Sequence, residues 1–362
     1  MRTAMTAGLA ALFLTSLSVS SLADDPAIPL VKGVRGLATK AAGGVVVDGA
    51  LTEWATAYCT PLHYNHTNLN ERASQFFYQW DADALYIGLR CLDTQRANPG
   101  QGGAVYNGDA VEFYLDTREG AALRGKDWTE GAVHLFYSPF EGKDLKPRWV
   151  MRQGIATSGT VLKGVEVAAT VKPWGYECEI KIPWANFPKF QPKLGALLAV
   201  DAELCSGDGA ARTDRTFAYG SPLSVQQPAS LGLVQLVESF DPSYLTQAGP
   251  SAFPMWVEIP WNQPNRAECV AVIGVPPAFA DIVGPVDIRL HDADGKIVKT
   301  LPAQVELFGP ERLGFARAVA RWSIDEFPPN TYFATAKISA RTGQPIVTVT
   351  PRMVHESIMS GR

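Results

Sequence analysis

The chain has 362 residues, of which 46% are hydrophobic, 10% aromatic and only 19% charged, with a formal net charge of −4. No cluster of Lys and Arg stands out, which argues against nucleic acid as a partner, and plentiful Gly and Pro favour short strands joined by turns over helices. The length exceeds one typical domain and fits two sandwiches of unequal size better than one large core.

Residues 1–23, MRTAMTAGLAALFLTSLSVSSLA, combine the single basic residue Arg2, an apolar run from Ala7 to Val19 and the small residues Ser21 and Ala23. This order predicts a secretory signal peptide and a secreted or periplasmic mature protein. The run is too short and too rich in Ser, Thr and Gly to span a bilayer, no Cys follows it to take a lipid anchor, and no later window approaches the roughly 18 apolar residues of a membrane helix. A short irregular leader precedes VVVDGALTEW, read as an apolar strand broken at Asp48-Gly49 and followed by a short helical turn carrying Trp54. Strands are then predicted over Gln75–Trp80, Leu85–Leu92, Ala110–Asp116, Ala132–Tyr137, Val165–Val171, Tyr176–Ile182, Leu197–Leu204 and Leu231–Val237. Leu85, Ile87, Leu89 and Cys91 alternate with Tyr86, Gly88 and Arg90, the period of a strand with one face in a core. In the same way Val111, Phe113 and Leu115 alternate with Glu112, Tyr114 and Asp116, which predicts a polar, aromatic face turned outward as the first place for a ligand. Tyr176, Cys178, Ile180 and Ile182 alternate with Glu177, Glu179 and Lys181, and Pro183-Trp184 ends that strand.

Residues 24–240 thus read as one antiparallel β-sandwich, and residues 241–265, which hold five prolines and no long alternating run, as a linker. Beyond it Glu268–Val275, Val286–His291, Lys296–Leu301, Phe315–Trp322, Thr331–Ala340 and Ile346–Thr350 have the spacing of a smaller immunoglobulin-like sandwich over residues 266–362. Asp292-Ala293-Asp294-Gly295 lacks the remaining ligands of an EF-hand loop and reads as a hairpin turn. The fold class expected is therefore all-β, two sandwiches in series. Five cysteines, none in a CxxC pair, read as buried thiols, with Cys59–Cys91 and Cys178–Cys205 the bridges to test.

Four blocks carry a resemblance: Asp48-Gly49-x-Leu51-x-Glu53-Trp54, Trp80-Asp81-x-Asp83-x-Leu85-Tyr86-Ile87, Gly108-Asp109-Ala110-Val111-Glu112-Phe113-x-Leu115-Asp116 and Glu179-x-x-Ile182-Pro183-Trp184. In order and spacing, from Val45 to Val237, they resemble the family 9 carbohydrate-binding modules. That resemblance implies a two-sheet sandwich of the kind appended to secreted glycanases, with calcium reported in some members. It also implies a sugar held between two tryptophans, with a glutamate gripping its hydroxyls. The first tryptophan aligns to Tyr106, the glutamate to Glu112 and an arginine of the next strand to Phe136. The second tryptophan falls near Val225-Gln226, which cannot stack, and Tyr219 is the nearest aromatic substitute. Trp54, Trp80 and Trp184 flank turns and read as core.

Calcium is a candidate cofactor, with Asp48, Asp83, Asp109, Asp116 and Asp201 as candidate oxygen donors, although acids at strand ends more often cap turns, so no metal ligands are assigned. The function expected is non-catalytic binding of a polysaccharide or oligosaccharide of xylan or glucan type in carbohydrate catabolism, alongside a secreted glycanase. Three alternatives stand beside it. One is an extracellular scaffold that has lost the sugar. Another is a haem-binding redox sandwich using His134 and Met151 as axial ligands. The third is a glycan-active hydrolase with two carboxylates facing across a cleft. No serine elbow, HExxH, P-loop or dinucleotide glycine motif occurs, and His355-Glu356 lacks a second histidine.

Overall fold

The computed structural model describes residues 29–55, 57–63, 73–152, 161–220, 222–240, 253–259, 268–310, 313–323, 326, 333–349 and 353–356. The expected signal peptide lies outside the described residues, and none of the described helices is long and apolar enough to cross a membrane.

The first half of the chain builds β1 (Val34–Lys40), β2 (Cys59–His63), β3 (Ala73–Trp80), β4 (Ala84–Leu92), β5 (Ala110–Asp116) and β6 (Ala132–Glu141). It continues with β7 (Asp144–Met151), β8 (Glu166–Lys172), β9 (Gly175–Pro183), β10 (Leu197–Gly207), β11 (Arg212–Phe217) and β12 (Gly232–Val237). They form one hydrogen-bonded order, β7-β6-β5-β10-β12-β1-β3-β4-β9-β8, with β11 on β10 and β2 on β3. Folded over, its two halves make the layers of a sandwich, and β7 and β8 at the ends of the order lie against each other. Tyr137 Oη donates to the carbonyl of Ala168 across that closure at 3.0 Å. The shared core holds Leu85, Ile87, Leu89 and Cys91 of β4, Val111, Phe113 and Leu115 of β5, and Cys178, Ile180 and Ile182 of β9, each the apolar phase of its strand.

β1 is the seam, parallel both to β12 and to β3, and it occupies the stretch expected to be an irregular leader. Its sequence, VRGLATK, hides the strand behind Arg35 and Gly36. A Cβ on Gly36 would come 2.1 Å from Tyr219 Oη, so the glycine is there to admit a tyrosine. β2, β7 and β11 also escaped the alternation rule: two carry a proline and the third is almost wholly polar, as strands at the margins of sheets often are. Conversely, Val45–Val47 is not a strand. The Glu179 carboxylate pins the following turn instead, accepting the backbone N–H of Asp48 and Gly49 and the indole N–H of Trp54 at 2.9, 2.7 and 2.8 Å. Gly49 has φ +88°, and a side chain there would meet the Ala169 backbone at 2.5 Å. This turn covers Glu177 and Glu179, which are buried rather than wetted as the alternation implied. Trp54, Trp80 and Trp184 are buried, and the indoles of Trp80 and Trp184 donate to the carbonyls of Val237 and Asp81.

Neither suggested disulfide exists. Cys91 and Cys178 face the inter-sheet core, whereas Cys59 packs with Trp54 and Phe77 and Cys205 with Val105 and Phe136 on outer faces, so each suggested pair sits on opposite sides of a sheet.

The second half adds β13 (Met255–Ile259), β14 (Glu268–Val275), β15 (Val283–His291), β16 (Ile297–Ala303), β17 (Val305–Leu307), β18 (Ala316–Ser323), β19 (Phe333–Ala340), β20 (Pro345–Val349) and β21 (Met353–Glu356). They make a five-stranded sheet β17-β18-β14-β13-β21 and a four-stranded sheet β16-β15-β19-β20 around a common core. β13 lies within the segment expected to be a linker, where two prolines flank a five-residue run that reads as a strand only once it has a neighbour to pair with. The Asp292–Gly295 segment is the hairpin turn between β15 and β16: Asp292 Oδ1 accepts the N–H of Asp294 and Lys296, and Gly295 has φ +81°. Val34 and Leu37 of β1 and Val237 of β12 join this second core, and Gln75 Nε2 donates to the Leu313 carbonyl at 3.0 Å.

Burial raises the Glu179 carboxyl to about 7 and the Asp201 carboxyl to about 6, against hydrogen bonds that favour their charged forms. With folded values above the unfolded ones, the folded chain holds the extra protons. This contribution is full below about pH 4 and is lost as pH rises through about 6 to 7. We therefore expect Glu179→Gln to flatten the fall in urea midpoint between about pH 5 and pH 8 relative to the unsubstituted chain. Parallel slopes would contradict the assignment.

Candidate functional site

β5 lies between β6 and β10, and its side chains opposite the core form straight cross-strand rows. Glu112 has Phe136 on one side and Glu203 on the other, with Val150 and Phe217 beyond them. In the next row Tyr114 sits between His134 and Asp201. The sequence predicted this face to be outward and polar, and its composition is as expected. It is nonetheless covered: Glu112 is 3% exposed and Tyr114 and Asp116 are fully buried. The cover is supplied by Tyr106, Trp128, Arg212 and Arg215.

The loop bearing Tyr106 is held from below. Asn98 Nδ2 lies within 3.0 Å of the carbonyls of Val105 and Asp109 and of Ser138 Oγ, and Val105 is buried beside Phe136. Asp109 accepts the N–H of Ala97 and of Gly207 at 2.7 and 2.9 Å, stitching two loops to the start of β5. A Cβ on Gly108 would meet Asn98 Cα at 2.7 Å, which explains the glycine of the Gly108-Asp109 block. Tyr106 itself is 37% exposed, its ring 5.8 Å from Phe136 and 5.0 Å from the Arg212 guanidinium above it.

Beneath it two carboxylates meet. Tyr114 Oη lies 2.9 Å from Glu112 Oε2 and 3.0 Å from Glu203 Oε2, offering one proton to both. His134 Nε2 is 3.0 Å from Glu112 Oε2, and Arg215 grips Glu203 with Nε and a terminal nitrogen at 2.6 and 2.7 Å. One terminal nitrogen of Arg212 lies 3.4 Å from Glu112 Oε1, Glu203 Oε1 and Cys205 Sγ. Burial pushes Glu112 up, but the His134 and Tyr114 bonds and nearby cations hold it below the usual carboxylate range. Glu203 ends above it, raised by burial and by the Glu112 charge despite Arg215. Burial also lowers the His134 pKa and keeps the ring neutral. With Nε2–H facing a carboxylate, Nδ1 is an acceptor, and neither it nor Trp128 Nε1 has a hydrogen-bond partner among the described residues.

The structure brings Tyr106, Glu112 and Phe136 together, although Phe136 is buried beneath Tyr106 and has no arginine's reach. Tyr219 is not with them. It is 1% exposed, wedged between Gly36 of β1 and Gly232 of β12, with its hydroxyl 2.6 Å from Thr60 Oγ1, so it is a core side chain and offers no face to a sugar. Val225 packs beside Trp128 in an apolar cluster. The haem reading also fails geometrically: Met151 pairs with Leu135 and packs on the inter-sheet core, while His134 points to the opposite face and binds Glu112.

Four of the acids considered for calcium, Asp48, Asp109, Asp116 and Asp201, accept the protein's own donors. Asp116 receives the N–H of Arg118 and Arg124 and the Arg118 guanidinium, and Asp201 receives the N–H of Ala202, Tyr219 and Gly220 and the Ser224 hydroxyl. Asp48 caps the N–H of Ala50. Glu112, Glu203 and Cys205 converge closely enough to ligate a cation, but the Arg212 guanidinium occupies that position.

The sequence reading placed Tyr114 on this face but missed Arg212, Arg215, Glu203, His134 and Trp128 as parts of the site. Glu203 was readable, since it alternates with Ala202 and Leu204 on a predicted strand; the arginines were not, because nothing in β11 alone shows that it folds back onto β10.

Residues 46–239 match the model of the family described as carbohydrate family 9 binding domain-like, more than half of the chain. Among solved structures, a family 9 carbohydrate binding module from Caldicellulosiruptor kristjanssonii in complex with cellotriose is 18% identical, covering 57% of this chain and 95% of that one with a TM-score of 0.44. The same organism's module in complex with glucose is 19% identical, covering 57% and 96% with a TM-score of 0.44. No curated protein matches. The family assignment rests on the matched segment. We expect Tyr114→Phe, which removes the proton between two buried carboxylates, to destabilise the fold by roughly 1–3 kcal/mol in urea denaturation. An unchanged midpoint would show that the hydroxyl does not serve Glu112 and Glu203.

Proposed function

We propose, because the chain belongs to the carbohydrate family 9 binding domain-like family, that it is a secreted or periplasmic, non-catalytic protein that holds a polysaccharide of xylan or glucan type at Tyr106 while a separate glycanase cuts it. The observation that carries this reading is the Tyr106 ring, open to solvent yet backed by Phe136, Arg212 and a loop tied down at Asn98 and Asp109. A pyranose has apolar C–H faces that stack on such a ring and a rim of hydroxyls that must regain the hydrogen bonds they lose with water. The Arg212 guanidinium, 5.0 Å from the ring centroid, is a donor placed to meet that rim. Rigidity matters as much as chemistry, since a ring already fixed in place has little freedom left to lose on binding.

Hydrolysis needs two carboxylates on opposite sides of a glycosidic bond, about 5 to 9.5 Å apart. Glu112 and Glu203 instead sit side by side on neighbouring strands, share one tyrosine proton and are gripped by arginines, with no room between them for a substrate. Secretion is supported by residues 1–23, whose basic start, apolar run and small residues before Asp24 have the order of a signal peptide.

The test is affinity electrophoresis or a glycan array with xylans, glucans, mannans and pectins. Tyr106→Ala should weaken binding to whichever polymer is held by roughly 1–3 kcal/mol, and Tyr106→Phe should retain most of it. A folded sample that binds no glycan would overturn the reading.

A further inference from the structure

We infer that the sugar taken at Tyr106 carries a carboxylate, as in a uronate-bearing polysaccharide, and that the Arg212 guanidinium recognises it. This deepens the carbohydrate-binding reading above and rests on it. The face has two layers of opposite charge. The lower layer, Glu112 and Glu203, is turned inward, with side chains only 4% and 0% exposed. The upper layer, Arg212 and Arg215, is 23% and 35% exposed, so a ligand arriving at Tyr106 meets guanidinium and not carboxylate.

The two arginines differ in what they have left to give. Arg215 spends Nε and one terminal nitrogen on both oxygens of Glu203. Arg212 touches Glu112, Glu203 and Cys205 through a single terminal nitrogen, and each of those contacts is long, at 3.4 Å. Among the described residues its Nε and other terminal nitrogen have no hydrogen-bond partner. That pair of nitrogens is the edge with which a guanidinium forks onto a carboxylate. The same guanidinium lies 5.0 Å from the Tyr106 ring centroid. A sugar stacked on the open part of that ring therefore has its rim beside the fork. A uronic acid ring supplies both features together, an apolar C–H face and a carboxylate projecting from the ring edge.

The chain as a whole has a net charge of −4, so it has no general attraction for polyanions. Preference for an acidic glycan must then come from this local spot.

The experiment compares one polymer in two forms, a glucuronoxylan and the same xylan after chemical reduction of its carboxyl groups, by affinity electrophoresis at low and moderate salt. The acidic form should bind the full chain about tenfold or more tightly, with the ratio shrinking as salt rises. In Arg212→Gln the ratio should fall toward one, and Arg212→Lys, a point charge without the fork, should restore it only in part. Circular dichroism and thermal midpoints check that each variant is folded. Equal binding of the two forms would overturn the inference while leaving sugar binding standing, as would an acid preference that survives in Arg212→Gln. Binding to neither form, nor to any polymer of the wider array, would overturn the underlying reading and this inference with it.

Discussion

Two glutamates buried directly opposite each other on adjacent strands impose the central constraint on this sandwich. Glu112 and Glu203 cannot both be ionised inside a sheet face unless positive charge and hydrogen-bond donors are brought to them, since each unpaired buried charge costs several kcal/mol. Every neighbour answers that demand. Tyr114 places a proton between them, His134 donates from the next strand, and β11 folds back on β10 so that Arg215 and Arg212 close the top. Tyr106 is fixed as a by-product, because the Arg212 that serves the acids also lies against its ring. Ligand-facing geometry and internal charge balance are thus one arrangement.

Elsewhere the same chain uses single buried acids as clamps on loops. Asp109, Glu179 and Asp201 each accept two or more N–H groups from segments distant in sequence. A carboxylate does this better than an amide because it is all acceptor and can take several donors without presenting one of its own. Each clamp makes its turn costly to remove. The acidic residues of the family-like blocks are therefore mostly structural, and only Glu112 among them reaches the candidate site.

Much of this was legible beforehand. β5 was predicted to the residue, and β4, β9 and β10 within a few residues, because a strand with one face in a core writes its period directly into the sequence. What could not be read were features set by contact between distant segments. β1 looks irregular because its glycine makes way for Tyr219, a residue far along the chain. The same contact overturned Tyr219 as a sugar ligand: an aromatic just past a mostly polar strand carries no sign of whether it points into a core. Alternation also gave Glu112 and Glu177 the right face and the wrong exposure, since period two reports which side of a sheet a residue occupies and says nothing of what is laid over that side.

The choice of which side remains open to a ligand follows from the second pair of sheets. Their core takes in Val34 and Leu37 of β1 and Val237 of β12, so the additional strands are built against the seam of the sandwich. Gly274 of β14 abuts Pro61 of β2, and Ala73 and Leu92 pack with Phe315. The second pair of sheets thereby covers one end of the outer surface of β3 and β4, and the Asp48–Trp54 turn closes the rest together with the outer surface of β9. Across the sandwich, among the described residues, the outer surface of β5, β6 and β10 has only side chains and short loops above it, and there the Tyr106 ring stays partly exposed with the Arg212 guanidinium over it. With the second pair of sheets packed against the seam, the Tyr106 face is, among the described residues, the side left for the proposed ligand.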